Sequence, residues 1–270
     1  KPGTQVALTL LREGANELKE VTITRDIIKF QSVREAKILE DHIGYIRLSD
    51  FRENTPKDLS DAIVKLKGEA MDGVILDLRN NPGGLLDVAV SVTEQFLERR
   101  QIVVTTKGRL RNQNLEFRSS VDGSLNGIPL VVLINQGSAS ASEIVAGAIQ
   151  DHHRGVIMGT KSHGKGSVQT VFPLKDGSAL RLTTSKWFTP GGRPIHGEGI
   201  TPDVEVPFER PPESKEQSAE ETADALFDRV EAKDPSAEPI EKKPLDNQLA
   251  RAVDLLKGLK VFEAREKATP

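Results

Sequence analysis

Pro129-Leu-Val-Val-Leu-Ile134 runs directly into Asn135-Gln-Gly-Ser-Ala-Ser-Ala-Ser-Glu-Ile144. The first six residues are apolar without a break, the pattern of a strand buried on both faces. Asparagine, glycine and serine then punctuate the chain, before Ile144, Val145, Ala148 and Ile149 recur at the spacing of one helix face. A strand, a tight turn and a helix in that order are half of a β-α-β unit, and the neighbouring sequence repeats the alternation. Ile43–Leu48 reads as a strand and Thr55–Lys67 as a helix, with Thr55 as its cap and Pro56 in its first turn. Val74–Leu78 is the next strand and Leu85–Leu97 an amphipathic helix. Strands follow at Ile102–Thr106, Leu130–Ile134, Gly155–Met158 and around Gln169 and Leu180. The order predicts an α/β fold with a central, partly parallel sheet.

Ser140 opens the helix after the quoted turn. A hydroxyl there meets free backbone N–H groups and the positive end of the helix dipole, which favour developing negative charge. Ser140 and Glu143 also spell a capping box, which in many proteins serves helix stability alone. The second informative stretch is His163-Gly-Lys-Gly-Ser-Val-Gln169. Gly164 and Gly166 free the backbone for an unusual turn around Lys165, although a lysine by itself is most often a solvated surface charge. A serine hydroxyl needs a base to become a nucleophile. Free lysine titrates near about 10.4, so use of Lys165 as that base predicts burial beside apolar neighbours, which penalises the charged form. Lys165, Ser167 and Gln169 share one face of an extended segment. In a straight strand Gln169 would lie about 13 Å from Lys165, so contact between them requires a bend at Gly166.

Five stretches together resemble the C-terminal processing peptidases, or tail-specific proteases, of the serine/lysine-dyad type. They are Gly44-Tyr-Ile-Arg-Leu48, Asp77-Leu-Arg-Asn-Asn-Pro-Gly-Gly84, Gly137-Ser-Ala-Ser-Ala-Ser-Glu143, Gly164-Lys-Gly-Ser-Val-Gln169 and Gly197-Glu-Gly-Ile-Thr-Pro-Asp203, in the family's order. The resemblance covers about residues 30 to 207 and implies a spiral βα core of the kind shared with crotonase-like enzymes. It implies that Ser140 is the nucleophile, Lys165 the base and Gln169 the residue that orients the lysine. The implied oxyanion donors are backbone amides, Ala141 and one of Gly83 and Gly84, with the choice between the glycines left open. Asp77 and Arg79 are expected to hold that glycine loop through an ion pair. The implied activity is endoproteolysis of protein or peptide substrates near accessible C-termini, through an acyl-enzyme and without metal or organic cofactor. The implied compartment is a bacterial periplasm or cell envelope. A regulatory adaptor and a homodimer are compatible with it.

Composition leaves room for this reading and excludes others. The chain has 270 residues with a net charge of −3 and no basic stripe, so nothing points to nucleic acid. Aromatic residues make up 4%, too few for base-stacking platforms. There is no cysteine, hence no disulfide or thiolate chemistry. No apolar run approaches the roughly 18 residues of a membrane span. Of the histidines, His152 and His153 fit a helix C-terminus, and His42 and His196 fit surface turns. His163 remains a rival base, in a Ser-His-Asp arrangement with a carboxylate such as Asp151. A further alternative is a catalytically idle, crotonase-like binding scaffold in which Ser140 only caps its helix.

The ends of the chain divide into three expected parts. Residues 1–29 alternate as a hairpin turned by Gly14-Ala-Asn16, and the resemblance implies that Lys1-Pro-Gly-Thr4 and this hairpin close a PDZ domain that is mostly missing. Such a chain would keep the dyad and lack its main substrate selector. Residues 30–207 are the expected peptidase core. Residues 208–243 read as an acidic, Pro-rich linker with a short helix near Ala219–Val230, and 244–270 as a terminal helix. The apolar stripe of that helix, Leu249, Val253, Leu255, Leu256 and Leu259, must dock on the core or on a second subunit.

Overall fold

The computed structural model describes residues 1–12, 17–27, 31–209 and 246–268, with side chains of the last segment described as far as Phe262. The Gly14-Ala-Asn16 turn, the linker from residue 210 and the helix expected near Ala219 lie outside these residues. The chain separates into two units, Lys1–Gln31 and Ser32–Pro270. In the first, β1 (Gln5–Leu10) and β2 (Lys19–Thr24) form an antiparallel pair in which Gln5 faces Thr24 and Leu10 faces Lys19. Leu8, Leu10 and Ile23 remain exposed on it.

The second unit is built on a six-stranded mixed sheet, ordered β12-β9-β8-β5-β4-β3. Its strands are β3 (Val33–Ile38), β4 (Ile43–Leu48), β5 (Gly73–Asp77), β8 (Leu130–Ile134), β9 (Val156–Gly159) and β12 (Val204–Glu205). All neighbours run parallel except β3, which pairs antiparallel with β4 at the edge. The central strands are apolar at nearly every position because both faces are covered. Ile46, Leu48, Val74, Leu76, Val132 and Ile134 pack beneath α1 (Thr55–Gly68), α2 (Leu86–Glu94) and α3 (Ala141–Asp151). The alternate residues Ile43, Tyr45, Ile75, Val131 and Leu133 face the other way, onto Ala252, Val253 and Leu256 of α4 (Asn247–Ala268). The terminal helix therefore docks on the core of its own chain. Tyr45, Asp77 and Arg79 lie on that same side. Arg79 forms the expected ion pair with Asp77 at 2.6 Å and a second with Asp246 at 2.7 Å. Burial works against the Arg79 charge, but these carboxylates hold the guanidinium more firmly protonated than usual.

A second, antiparallel sheet is ordered β10-β11-β6-β7, from β6 (Ile102–Gly108), β7 (Glu116–Arg118), β10 (Ser167–Pro173) and β11 (Ala179–Phe188). Sequence periodicity does not separate this sheet from the first, because partner choice is non-local. Nor does it mark β7 and β12, which are three and two residues long. One cap also differs from expectation. Thr55 lies inside α1 rather than before it, and its hydroxyl closes the preceding turn by accepting the Arg52 N–H at 2.8 Å. Among the described residues no helix is long and apolar enough to cross a membrane.

Candidate active site

The loops after β5 and β8 are fastened to each other before either reaches a functional residue. The Ser138 hydroxyl donates to the Leu78 carbonyl at 2.8 Å, and the Ala139 N–H and Ser142 hydroxyl both donate to the Asn81 carbonyl, at 3.0 and 2.9 Å. These bonds fix the chain on both sides of Ser140. Ser140 itself takes φ 55° and ψ −111°, a region that costs a side-chain-bearing residue roughly 1–3 kcal/mol and persists only where neighbours enforce it. It is the residue before the first turn of α3, as the sequence predicts, but its hydroxyl makes no capping bond. The half of the capping box that forms is the reverse one, in which Glu143 accepts the Ser140 N–H at 2.8 Å.

Two backbone donors near Ser140 have no hydrogen-bond acceptor among the described residues, the N–H groups of Ala141 and Gly84. Gly83 differs, since its N–H donates to the Asn81 side chain at 2.9 Å. Gly83 supplies closeness instead. At φ +96° a Cβ there would stand 2.6 Å from the Ala139 carbonyl oxygen and 2.8 Å from both Ala141 N and Ser140 Cβ. At Gly84 a Cβ would stand 2.0 Å from the Phe51 carbonyl oxygen, with which the glycine loop pairs. Neither position tolerates a side chain.

Glu143 is fully buried and accepts four hydrogen bonds from neutral donors. One oxygen, Oε2, takes the N–H groups of Ser140 at 2.8 Å and Lys165 at 2.9 Å. The other, Oε1, takes the Gly164 N–H and the Ser162 hydroxyl, each at 2.6 Å. The Gly-Lys-Gly turn is held on its other side as well. Gly197 N–H donates to the Gly164 carbonyl at 2.9 Å and Trp187 N–H to the Gly166 carbonyl at 2.8 Å. The segment that carries Ile195 and His196 presses so close that a Cβ on Gly166 would meet His196 N at 2.2 Å. Only the end of the loop Thr189–Ile195 thus reaches this turn. Sequence reading did not find Glu143 in this role. Its only signal was the spacing Ser-x-x-Glu, which the helix cap already explained.

The side chain of Lys165 is exposed, not buried as its proposed use as a base predicts. The turn that carries it opens outward, and no apolar element lies over it among the described residues. Gln169 is exposed too, at a register shift between Val168 and Gln169 in the β10–β11 pairing. No hydrogen bond joins Lys165 to Ser140 or to Gln169. The His163 ring is exposed, while its N–H donates to the Ser138 carbonyl at 3.0 Å. Asp151, the carboxylate named for a histidine triad, is at the far end of the 11-residue α3, about 16 Å of helix from Ser140. There it accepts the Gly191 N–H at 2.7 Å and binds Arg193. Burial alone would raise its pKa, but the hydrogen bonds from Thr189, Gly191 and Arg193 hold the carboxylate below its usual range. Asp151 therefore braces a loop and cannot orient His163 against Ser140. A cavity of about 590 Å³ near His152, His153 and Arg154 lies at that same far end. Among the described residues no cluster of His, Asp or Glu is arranged to hold a metal.

Comparison with known proteins gives concordant results. Residues 42–206 match the family model described as Peptidase family S41. A carboxy-terminal-processing protease of Bartonella bacilliformis is 44% identical over 267 residues, which are 95% of this chain and 61% of that protein. A probable CtpA-like serine protease of Staphylococcus haemolyticus is 41% identical over 206 residues, 76% of this chain and 41% of its own length. Among solved structures, a photosystem II D1 C-terminal processing protease superposes with a TM-score of 0.57 at 32% identity, covering 77% of this chain and 56% of that one. The chain thus spans about three fifths of the length of the Bartonella relative and two fifths of the staphylococcal one.

Proposed function

The chain belongs to peptidase family S41, and on that premise we propose that it is a serine endopeptidase that cuts protein substrates near their C-termini, with Ser140 as nucleophile and Lys165 as base. The observation that carries this reading is the convergence at Ser140. A strained serine at a helix N-terminus stands beside two unused N–H donors, and a shared carboxylate links its backbone to that of the lysine turn. In the reaction, neutral Lys165 takes the Ser140 proton as Oγ attacks the scissile carbonyl, and the proton then passes to the leaving amine. The tetrahedral oxyanion accepts from Ala141 and Gly84, each donor worth roughly 3 kcal/mol. Gly84 is preferred over Gly83 because the Gly83 N–H is already spent on Asn81. Water activated by Lys165 then hydrolyses the acyl-enzyme. With Lys165 exposed in the free chain, substrate settling over the turn supplies the desolvation that favours the neutral amine, while Gln169 orients it.

The substrate enters as an extended strand. β10 is an edge of its sheet, begins two residues after Lys165, and leaves one row of backbone groups unpaired. Val171, Phe172, Leu180 and Leu182 of this hairpin are 58%, 42%, 46% and 46% exposed and offer apolar contacts to an unfolded segment. In the whole protein, residues 1–29 adjoin a PDZ domain that selects C-terminal peptides. The protein works in a bacterial envelope, where an adaptor or a second subunit is compatible with its exposed surfaces.

The test is cleavage of an unfolded casein by the chain and by Ser140→Ala, Lys165→Ala and His163→Ala, each shown to be folded. Loss in the first two with retention in the third supports the dyad. Retention in Lys165→Ala with loss in His163→Ala transfers the base role to the histidine.

A further inference from the structure

We propose that Glu143 is the positioning residue of the Ser140/Lys165 pair, setting the distance between nucleophile and base through a single carboxylate oxygen. The inference rests on the dyad reading above and goes beyond it to a residue that touches no substrate. Because Oε2 accepts from Ser140 N at 2.8 Å and from Lys165 N at 2.9 Å, the two backbone nitrogens can stand no farther apart than the sum, 5.7 Å. They belong to separate elements, the mouth of α3 and the turn before β10, which are joined besides this by the His163 N–H donating to the Ser138 carbonyl at 3.0 Å, two residues from each of Lys165 and Ser140. The Lys165 side chain spans roughly 6 Å when extended. The backbone separation is thus no longer than the lysine side chain itself.

The same carboxylate sorts the donors at the helix mouth. By taking the Ser140 N–H it removes that group from competition and leaves the Ala141 N–H to meet the developing oxyanion. All four partners of Glu143 donate, and a carboxylate is the one side chain of this length that only accepts. Glutamine would turn an amide NH2 toward two donors whichever way it was placed. With its oxygen on the Ser162 side it orphans Ser140 N–H and Lys165 N–H, and with its oxygen on the other side it orphans Gly164 N–H. Aspartate keeps the charge but is one methylene too short to bridge from α3 to the turn.

The test compares Glu143→Gln, Glu143→Asp and Ser162→Ala with the parent chain, Ser140→Ala and Lys165→Ala. Three readouts are used: labelling of Ser140 by a fluorophosphonate, kcat and KM on unfolded casein, and thermal unfolding followed by the single tryptophan, Trp187. Displacement of reacting groups by about 1 Å costs on the order of 100-fold. Glu143→Gln is therefore expected to lose ~100-fold in labelling rate and kcat while KM stays within ~3-fold and the protein remains folded. Ser162→Ala, which leaves Oε2 and both its partners in place, is expected to lose less than ~10-fold by the same reasoning. If Glu143→Gln does not fold at the assay temperature, Glu143→Asp carries the comparison with the same expected split between kcat and KM. A folded Glu143→Gln or Glu143→Asp that labels and turns over at the parental rate overturns the inference, provided Ser140→Ala and Lys165→Ala are dead. A Lys165→Ala chain that labels like the parent instead overturns the dyad reading, and this inference with it.

Discussion

Ser140 and Lys165 sit in unlike surroundings. The serine is enclosed by short fixed loops, with a buried carboxylate behind it and a glycine pressed against its Cβ. The lysine side chain stands in solvent at the root of a hairpin whose outer half is exposed on both faces. Only its main chain is fixed. The contrast shows where this structure commits energy in advance and where it waits. The strained backbone of Ser140 is held by the bonds of its neighbours Ser138, Ala139 and Ser142, and the Ala141 donor beside it is buried. The position of the lysine side chain is left open.

The sharpest break of this contrast is at its enclosed side. Ser140→Ala is expected to abolish peptide hydrolysis, a loss on the order of 10⁴-fold or more, with no loss of thermal stability. Because the φ of 55° is unfavourable for any side chain, Ser140→Gly should also be inactive but melt at a higher temperature than Ser140→Ala. An equal melting point for the two would mean the strain is not stored there. Gly83→Ala comes next. A methyl group 2.6 Å from the Ala139 carbonyl and 2.8 Å from Ala141 N forces the two loops apart. We expect roughly 1–3 kcal/mol of destabilisation and a fall in kcat of about 100-fold, measured by denaturant melts and casein turnover.

On the open side the expected effects are smaller and of a different kind. Phe172→Ser and Leu180→Ser face one another on the exposed hairpin, and each should change stability by no more than about 0.5 kcal/mol. If the hairpin edge receives substrate, KM for unfolded casein rises several-fold in the double variant while fluorophosphonate labelling of Ser140 is unchanged. An unchanged KM would remove substrate from that edge. The smallest expected effect concerns the brace at the far end of α3. The folded-state pKa of Asp151 is depressed by Thr189, Gly191 and Arg193 against the effect of burial. Its contribution to stability is therefore complete above the unfolded carboxylate value of about 3.9 and is lost as pH falls from there through the folded value. Between pH 5 and pH 2 the melting temperature of the parent should fall more steeply than that of Asp151→Asn. Parallel curves would show that the brace adds nothing.

Much of this molecule can be read along the chain. Uninterrupted apolar runs such as Leu130–Ile134 announced strands covered on both faces, and a serine before an apolar-periodic stretch announced the mouth of α3. The role of Glu143 could not be read in this way. Its neighbours Ser162, Gly164 and Lys165 arrive from about twenty residues away, and a local cap explained the same spacing equally well. The expectation of a buried Lys165 came from what the chemistry needs, whereas exposure depends on which element covers the turn.

The sequence by itself determined most of the element types and the family to which the chain belongs. The element types follow from periodicity, steric volume and local hydrogen bonding, all of which act over a few residues. The tertiary structure alone decided that the strands divide into two sheets and that the terminal helix covers its own core. It also decided that one buried carboxylate joins the serine's backbone to the lysine's, that Asp151 is out of reach of Ser140, and that the lysine side chain stands in water. Those outcomes depend on which distant segments meet and which of their polar groups are left to be satisfied, and no local pattern encodes that pairing.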